Sequence, residues 1–268
     1  MNVARFGDLK ARVLSALVMV AVGFGALWAG GHYLAALAVV LSGLLGWELY
    51  RMVVPDAPQG RAEAHGVVAA IVVAVFSYTW GGLVSVAGLV LAAALLGARV
   101  PRDGRIFGAY MALILLAGHG FIVLRGEYGL AWVLWLVLIV IASDVAGYFA
   151  GRVIGGPKFW PRFSPKKTWS GTVAGWMLAA VVGYVFMDIL GTGAWLIAVS
   201  ALLAFAGQMG DIAESAIKRR YGIKDSSNLI PGHGGVLDRF DAMIAVTALA
   251  LLLAQSGILR ALGGGEAG

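Results

Sequence analysis

Asp211, Glu214, Ser215 and Lys218 fall at i, i+3, i+4 and i+7, so on a helix they share one face. The stripe runs from acid to base. Asp238 and Asp241, at i and i+3, share a face of a second segment. If the two segments pack together, Asp211, Asp238 and Asp241 converge. Oxygen-only clusters of this kind suit a hard cation such as Mg²⁺, and the sequence leaves open whether a second, monovalent, cation joins it. The competing reading is helix-end electrostatics, with Asp238 paired to Arg239 and Asp241 near Arg219. The glycines and lysines nearby favour metal.

Between these acids lies the segment Asn228 to Gly235, which contains Gly232, Gly234 and Gly235. Glycine permits positive φ and close backbone approach, and such a loop can aim N–H groups at phosphate oxygens. It lacks the spacing of a Walker or Rossmann fingerprint. His233 either donates to a phosphate or bonds the local backbone. A second polar segment, Ser164 to Thr168, sets Lys166 and Lys167 between two hydroxyls, and lysine is a good point-charge partner for phosphate. A plain positive anchor needs the bases but no particular hydroxyls or proline. Asp144 stands in or at the end of an apolar segment, where it needs a partner such as Arg152 or Lys167. Its role is structural or catalytic.

The elements that position these residues are membrane spans. Of 268 residues 60% are hydrophobic and 13% charged, too few polar residues to surface a soluble domain of that length. There is no cysteine, which excludes disulfides and thiolate metal sites. Nine segments read as spans, at 13–29, 33–50, 66–80, 83–97, 106–124, 130–151, 172–190, 194–211 and 240–262. The third and fourth are short and meet at Gly81 and Gly82, so they are full spans or a re-entrant pair. The first is expected to be retained rather than cleaved as a signal peptide. With the N-terminus cytoplasmic and the C-terminus outside, all but Arg125 and Arg260 of the 20 Lys and Arg lie inside, as the positive-inside rule requires. The fold class is therefore all-α and polytopic. Residues 1–130 supply five N-terminal helices. Residues 131–268 form a catalytic region with cytosolic loops at 152–171 and 211–241. Ser143, Gly147 and Gly151 recur every four residues, a stripe that allows close helix packing.

Ser215, Lys218, Arg219, Lys224, Asp225, Pro231, His233, Gly234, Gly235, Asp238, Arg239 and Asp241 together resemble the signature of the phosphatidate cytidylyltransferase (CDP-diacylglycerol synthase) family. Gln208, Gly210 and Asp211 resemble a second family motif, Ser164 to Thr168 a third, and the Ser143, Asp144 and Tyr148 region is also similar. Two positions depart from the family pattern: Ser170 stands where an acid is frequent, and Ala242 where a serine is frequent.

The charge distribution puts the two polar loops at the cytoplasmic face, and the lack of long extramembrane segments suggests a bacterial plasma membrane. The resemblance implies that phosphatidate and CTP react with Mg²⁺ to give CDP-diacylglycerol and pyrophosphate, in a homodimer with no nucleic-acid partner. It implies metal ligation by Asp211, Asp238 and Asp241. Lys218, Arg219, Lys224 and Arg239 would bind triphosphate or lipid phosphate, while Gly234 and Gly235 present N–H groups to the nucleotide. Lys166, Lys167 and Thr168 would complete the anion site. Ser215, Asp225 and His233 join the substrate contacts, with Asp144, Glu214 and Asn228 in support. The rival readings are a CTP-dependent lipid-alcohol kinase, which would release CDP, and a transporter. Transporters place charges near the bilayer midplane, whereas the charges here gather at one face.

Overall fold

The computed structural model describes residues 3–259, with side chains from Leu9 onward. Nine α-helices dominate these residues: α1 (Val3–Ala29), α2 (Gly31–Val53), α3 (Arg61–Thr79), α4 (Gly82–Ala98), α5 (Gly104–Val123), α6 (Leu130–Val153), α7 (Trp169–Ile189), α8 (Trp195–Arg220) and α9 (Leu237–Gln255). Each coincides with one of the nine apolar segments. In hydrocarbon a chain must satisfy its own backbone N–H and C=O groups, and a helix does so within the segment.

Among the described residues seven helices, namely α1, α2, α3, α5 with the π-turn that follows it, α6, α7 and α8, are long and apolar enough to cross a membrane. The protein is a multi-pass membrane protein. The 17 residues of α4 give a helix of about 26 Å, short of a hydrocarbon core of about 30 Å. In α9 the charges of Asp238, Arg239 and Asp241 occupy the first turns, and an apolar run follows. The segments 66–80 and 83–97 form two unbroken helices joined through Trp80 and Gly81. The ninth apolar segment was expected to reach residue 262, and its end lies outside the described residues.

The structure departs from an all-α reading at one place. Residues 158–168 form an antiparallel hairpin of β1 (Lys158–Trp160) and β2 (Ser164–Thr168), pairing Lys158 with Thr168 and Trp160 with Ser164. An edge strand in a two-stranded ribbon tolerates Pro165. Phe159 packs edge-on against Trp169 at 4.7 Å between centroids, which anchors the hairpin to α7. The segment 211–241 is helical at both ends, so the true loop is 221–236.

Small residues set the helix spacing. The Ser143, Gly147 and Gly151 stripe of α6 faces Gly175, Gly171 and Thr168, and a Cβ on Gly151 would meet Thr168 Oγ1 at 2.9 Å. Two apolar cores result. One gathers around Phe107, Met111 and Leu115 of α5, the other around Trp135, Leu136 and Leu203 of α6 and α8. Helix α9 joins both, since Ile244 and Leu251 pack in the first and Val246 and Ala250 in the second.

The basic connections meet at one end of the bundle. Asp103, before α5, receives Arg220 at 2.7 and 2.8 Å, and His233 Nδ1 lies 2.9 Å from Ser15 Oγ of α1. The other end is tied separately, by Arg125 Nε donating to Leu27 O at 3.0 Å.

Candidate active site

Helices α8 and α9 bring three carboxylates together. Oxygens of Asp211, Glu214 and Asp241 lie within 4.8 Å of one another. Gly210 allows this approach, because a Cβ there would stand 2.5 Å from Asp241 O and 2.7 Å from Ala245 Cβ. Glu214 is 0% exposed. Its Oε1 has no hydrogen-bond partner, and its Oε2 forms an ion pair with Lys218 Nζ at 2.7 Å that lacks hydrogen-bond geometry. A buried carboxylate oxygen without a donor is costly unless a cation meets it. Lys167 Nζ reaches across from β2 to Asp211 Oδ2 at 2.5 Å. Ser215 Oγ donates to the other oxygen of Asp211 at 3.3 Å. Two ammonium groups thus face four carboxylates, with Asp238 as the fourth. An all-oxygen donor set with surplus negative charge fits a hard divalent cation.

Asp238 stands apart from the converging trio. Its Oδ1 accepts Lys218 Nζ at 2.7 Å. Its Oδ2 accepts Gly235 N at 2.8 Å, Ser226 N at 2.9 Å and Ser226 Oγ at 3.1 Å. Asp238 therefore closes the loop 221–236 onto the start of α9 and orients Lys218. Glu214 fills the place in the trio that the sequence suggested for Asp238. The pairs Asp238 with Arg239 and Asp241 with Arg219 do not form. Arg239 instead donates to His233 O at 2.7 and 3.0 Å, and Arg219 to Ile223 O at 3.3 Å.

Two of the loop glycines adopt left-handed backbone, and the third is fixed by close contact. Gly232 and Gly234 adopt positive φ, at 75° and 83°. Gly235 does not. It is required because a Cβ there would overlap Ser226 Oγ and stand 2.7 Å from Glu48 Oε1. Its N–H is engaged by Asp238. The backbone N–H of His233 donates to Ile230 O at 2.9 Å, and its side chain lies against Ser15 Oγ of α1 rather than the local backbone. Lys224, Asp225 and Asn228 are exposed on this loop.

The second polar segment lines a separate cavity of about 400 Å³ between α6, α7, β2 and α8. Asp144, Arg152, Lys166, Lys167 and Gln208 contribute to it. Asp144 pairs with neither expected partner: Lys167 engages Asp211, and Arg152 donates to Tyr148 Oη at 2.8 Å. Thr168 is buried and caps α7, its Oγ1 accepting Gly171 N at 3.2 Å. Gln208 Nε2 donates to Ser143 Oγ and to Thr172 O, each at 3.2 Å, and so ties α8 to both neighbouring helices.

A profile of the Cytidylyltransferase family matches residues 10–256. The chain belongs to this cytidylyltransferase family. Among its curated relatives, a phosphatidate cytidylyltransferase of Brucella suis is 35% identical across 91% of this chain and 93% of its own length. A phosphatidate cytidylyltransferase of Bacillus subtilis is 38% identical over 48% of this chain and 49% of its own. One from Helicobacter pylori is 44% identical over 48% of this chain and 50% of its own. The chain is accordingly a nucleotidyltransferase-class enzyme with bacterial relatives.

Within this cytidylyltransferase, Glu48 lies near the end of an apolar segment, where the sequence predicts only an acid that snorkels or caps. The structure makes it a keystone. From α2, fully buried, it accepts Val236 N at 2.9 Å, Leu237 N at 2.6 Å, Ser227 Oγ at 2.5 Å and Ser226 Oγ at 3.2 Å. An acid inside an apolar segment is the signal that could have found it. Tyr110 of α5 also went unnoticed, since a tyrosine in an apolar run carries no charge to mark it. At the C-terminal end of α8, the Arg220 hydrogen bonds hold the Asp103 carboxyl below the usual range. Burial, and then the hydrogen bond to Asp103, push the Tyr221 phenol up to about 12.

Proposed function

We propose that this cytidylyltransferase joins CTP and phosphatidate to give CDP-diacylglycerol and pyrophosphate, with Mg²⁺, at the cytoplasmic face of a bacterial plasma membrane. The observation that carries the reading is the convergence of Asp211, Glu214 and Asp241 beside Lys167 and Lys218 at the basic end of the bundle. Both substrates are polyanions, and that end gathers the cationic connections. Helix α8 is about 39 Å long, more than a hydrocarbon core needs, so its last turns reach headgroup depth. All nine helices cross the bilayer in this reading, with the N-terminus inside, as the distribution of Lys and Arg supports.

A phosphate oxygen of phosphatidate attacks the α-phosphorus of CTP, and the bond to the β-phosphate breaks, releasing pyrophosphate. The attacking oxygen is already anionic, so the protein needs no strong general base. Its work is positioning and charge neutralisation. Asp211, Glu214 and Asp241 are the residues that would hold Mg²⁺, which when bound neutralises charge on the triphosphate and on departing pyrophosphate. Lys167 and Lys218 bring ammonium groups to the same place. The polar cavity beside β2 suits the nucleotide, with Lys166 and Arg152 on its wall. Asp238 acts by holding Lys218 and the loop 221–236.

Product analysis tests the reaction. Purified protein supplied with CTP, Mg²⁺ and phosphatidate should form CDP-diacylglycerol and pyrophosphate in equal amounts, detected by mass spectrometry. Formation of a phosphorylated lipid and CDP from a lipid alcohol, with no CDP-lipid from phosphatidate, would replace this reading with that of a kinase.

A further inference from the structure

A second cavity, of about 670 Å³, opens between α5 and α8 and is distinct from the polar cavity beside β2. Its walls are aliphatic, with Ile106 and Leu113 from α5 and Ala213 and Ile217 from α8. Three exposed arginines, Arg162, Arg219 and Arg220, also line it. Arg220 is committed to Asp103. Arg162, from the hairpin turn, lies over the Phe163 ring at 5.4 Å, and Arg219 donates to Ile223 O. Among the described residues neither has a carboxylate at ion-pair distance.

The buried side of the cavity carries Tyr110, which is 4% exposed and whose hydroxyl has no hydrogen-bond partner. A buried hydroxyl without a partner is uncommon and needs a reason. Tyr110 shares this lining with Ala213 of α8, the chain neighbour of Glu214.

Apolar walls with two guanidinium groups that have no carboxylate partner complement an anionic amphiphile. Arginine is suited to phosphate through its planar fork of donors. A nucleotide would find little here to meet its ribose and base. We propose that this groove seats the phosphatidate molecule, its acyl chains along α5 and α8, its phosphate on Arg162 and Arg219, and the Tyr110 hydroxyl donating to it from the buried side. The assignment rests on the cytidylyltransferase reading for the identity of the lipid. It adds Arg162 and Tyr110 to the substrate contacts.

The test uses the full chain in lipid nanodiscs with a photoactivatable phosphatidate and neither CTP nor metal. Crosslinks should map to α5 and α8 around Ala109 and Ala213. Ala109→Trp should abolish them while the protein stays folded by size-exclusion profile. In mixed-micelle kinetics, Arg162→Gln should raise the KM for phosphatidate about tenfold and leave the KM for CTP unchanged. Tyr110→Phe should lower turnover without unfolding. Crosslinks mapping elsewhere, or an Arg162→Gln effect on the KM for CTP alone, would overturn the groove. Wild-type protein that crosslinks in the groove but makes no CDP-lipid would leave the groove standing as a lipid site and overturn the reaction instead.

Discussion

Glu48 of α2 accepts the backbone N–H of Leu237 at 2.6 Å, and so caps the helix that presents Asp238 and Asp241. With Val236 N at 2.9 Å, one buried carboxylate receives two of the donors that a helix N-terminus leaves unpaired. The catalytic loop is thereby fastened to the N-terminal half of the chain. Glu48→Ala leaves those donors buried and unmet, at a cost of about 1–3 kcal/mol each. The variant should show a lower thermal midpoint in detergent and turnover reduced at least tenfold. An unchanged midpoint would mean that Glu48 does not hold the loop.

Lys218 lies 2.7 Å from both Glu214 and Asp238. Lys218→Met keeps the aliphatic stem and removes the charge. It should lower kcat by roughly 100-fold or more, the scale expected when one preorganised electrostatic partner is removed. Lys218→Arg should rescue only poorly, because a planar fork cannot sit as a point charge between two carboxylates. Steady-state kinetics on the two variants would reveal it, and full activity in the methionine variant would remove Lys218 from the centre.

Gly210 sets the distance between α8 and α9. Gly210→Ala forces a Cβ against Asp241 O and should cost about 1–3 kcal/mol, as overpacking does. The stronger effect should fall on kcat, since Asp241 moves relative to Asp211. Gly23→Ala in α1, where a Cβ meets nothing within 4 Å, is the control and should be silent in both measurements.

Much of this site was legible from residue types and spacing. The shared face of Asp211, Glu214, Ser215 and Lys218 follows from helical periodicity, whereas its packing against α9 was a condition that the structure supplies. The small-residue stripe of α6 likewise named its own packing face. What spacing could not show was which of five nearby acids turn inward. Asp238 and Asp241 share a helix face, yet Asp238 is drawn off by Lys218 and by the N–H groups of Ser226 and Gly235, while Glu214 is carried inward. That choice depends on tertiary donors supplied by the loop. The hairpin at 158–168 was missed because short ribbons owe their stability to outside contacts, here Phe159 on Trp169.

Asp103 adopts φ 58°, a conformation that Asn tolerates as well, so Asp103→Asn isolates the charge. The folded carboxyl is held below its ordinary value by Arg220, and its unfolded value is about 4. Its stabilisation is therefore present above pH ~4 and is lost as pH falls through the lower folded value. Wild type should unfold at a higher temperature than Asp103→Asn at pH 7, and the difference should shrink as the pH is lowered below 4. A gap that stays constant with pH would show that the ion pair contributes nothing through its charge.

The most direct test follows label from the α-phosphate of CTP into the lipid phase in the presence of phosphatidate and Mg²⁺, for wild type, Asp211→Asn and Asp241→Asn. Wild type should transfer the label and release pyrophosphate. Both variants should remain folded and membrane-inserted, and should lose at least 100-fold of the transfer, on the scale set by removal of a charge-stabilising group. Near-wild-type transfer by either variant would contradict the assignment of the α8–α9 carboxylate cluster as the catalytic centre.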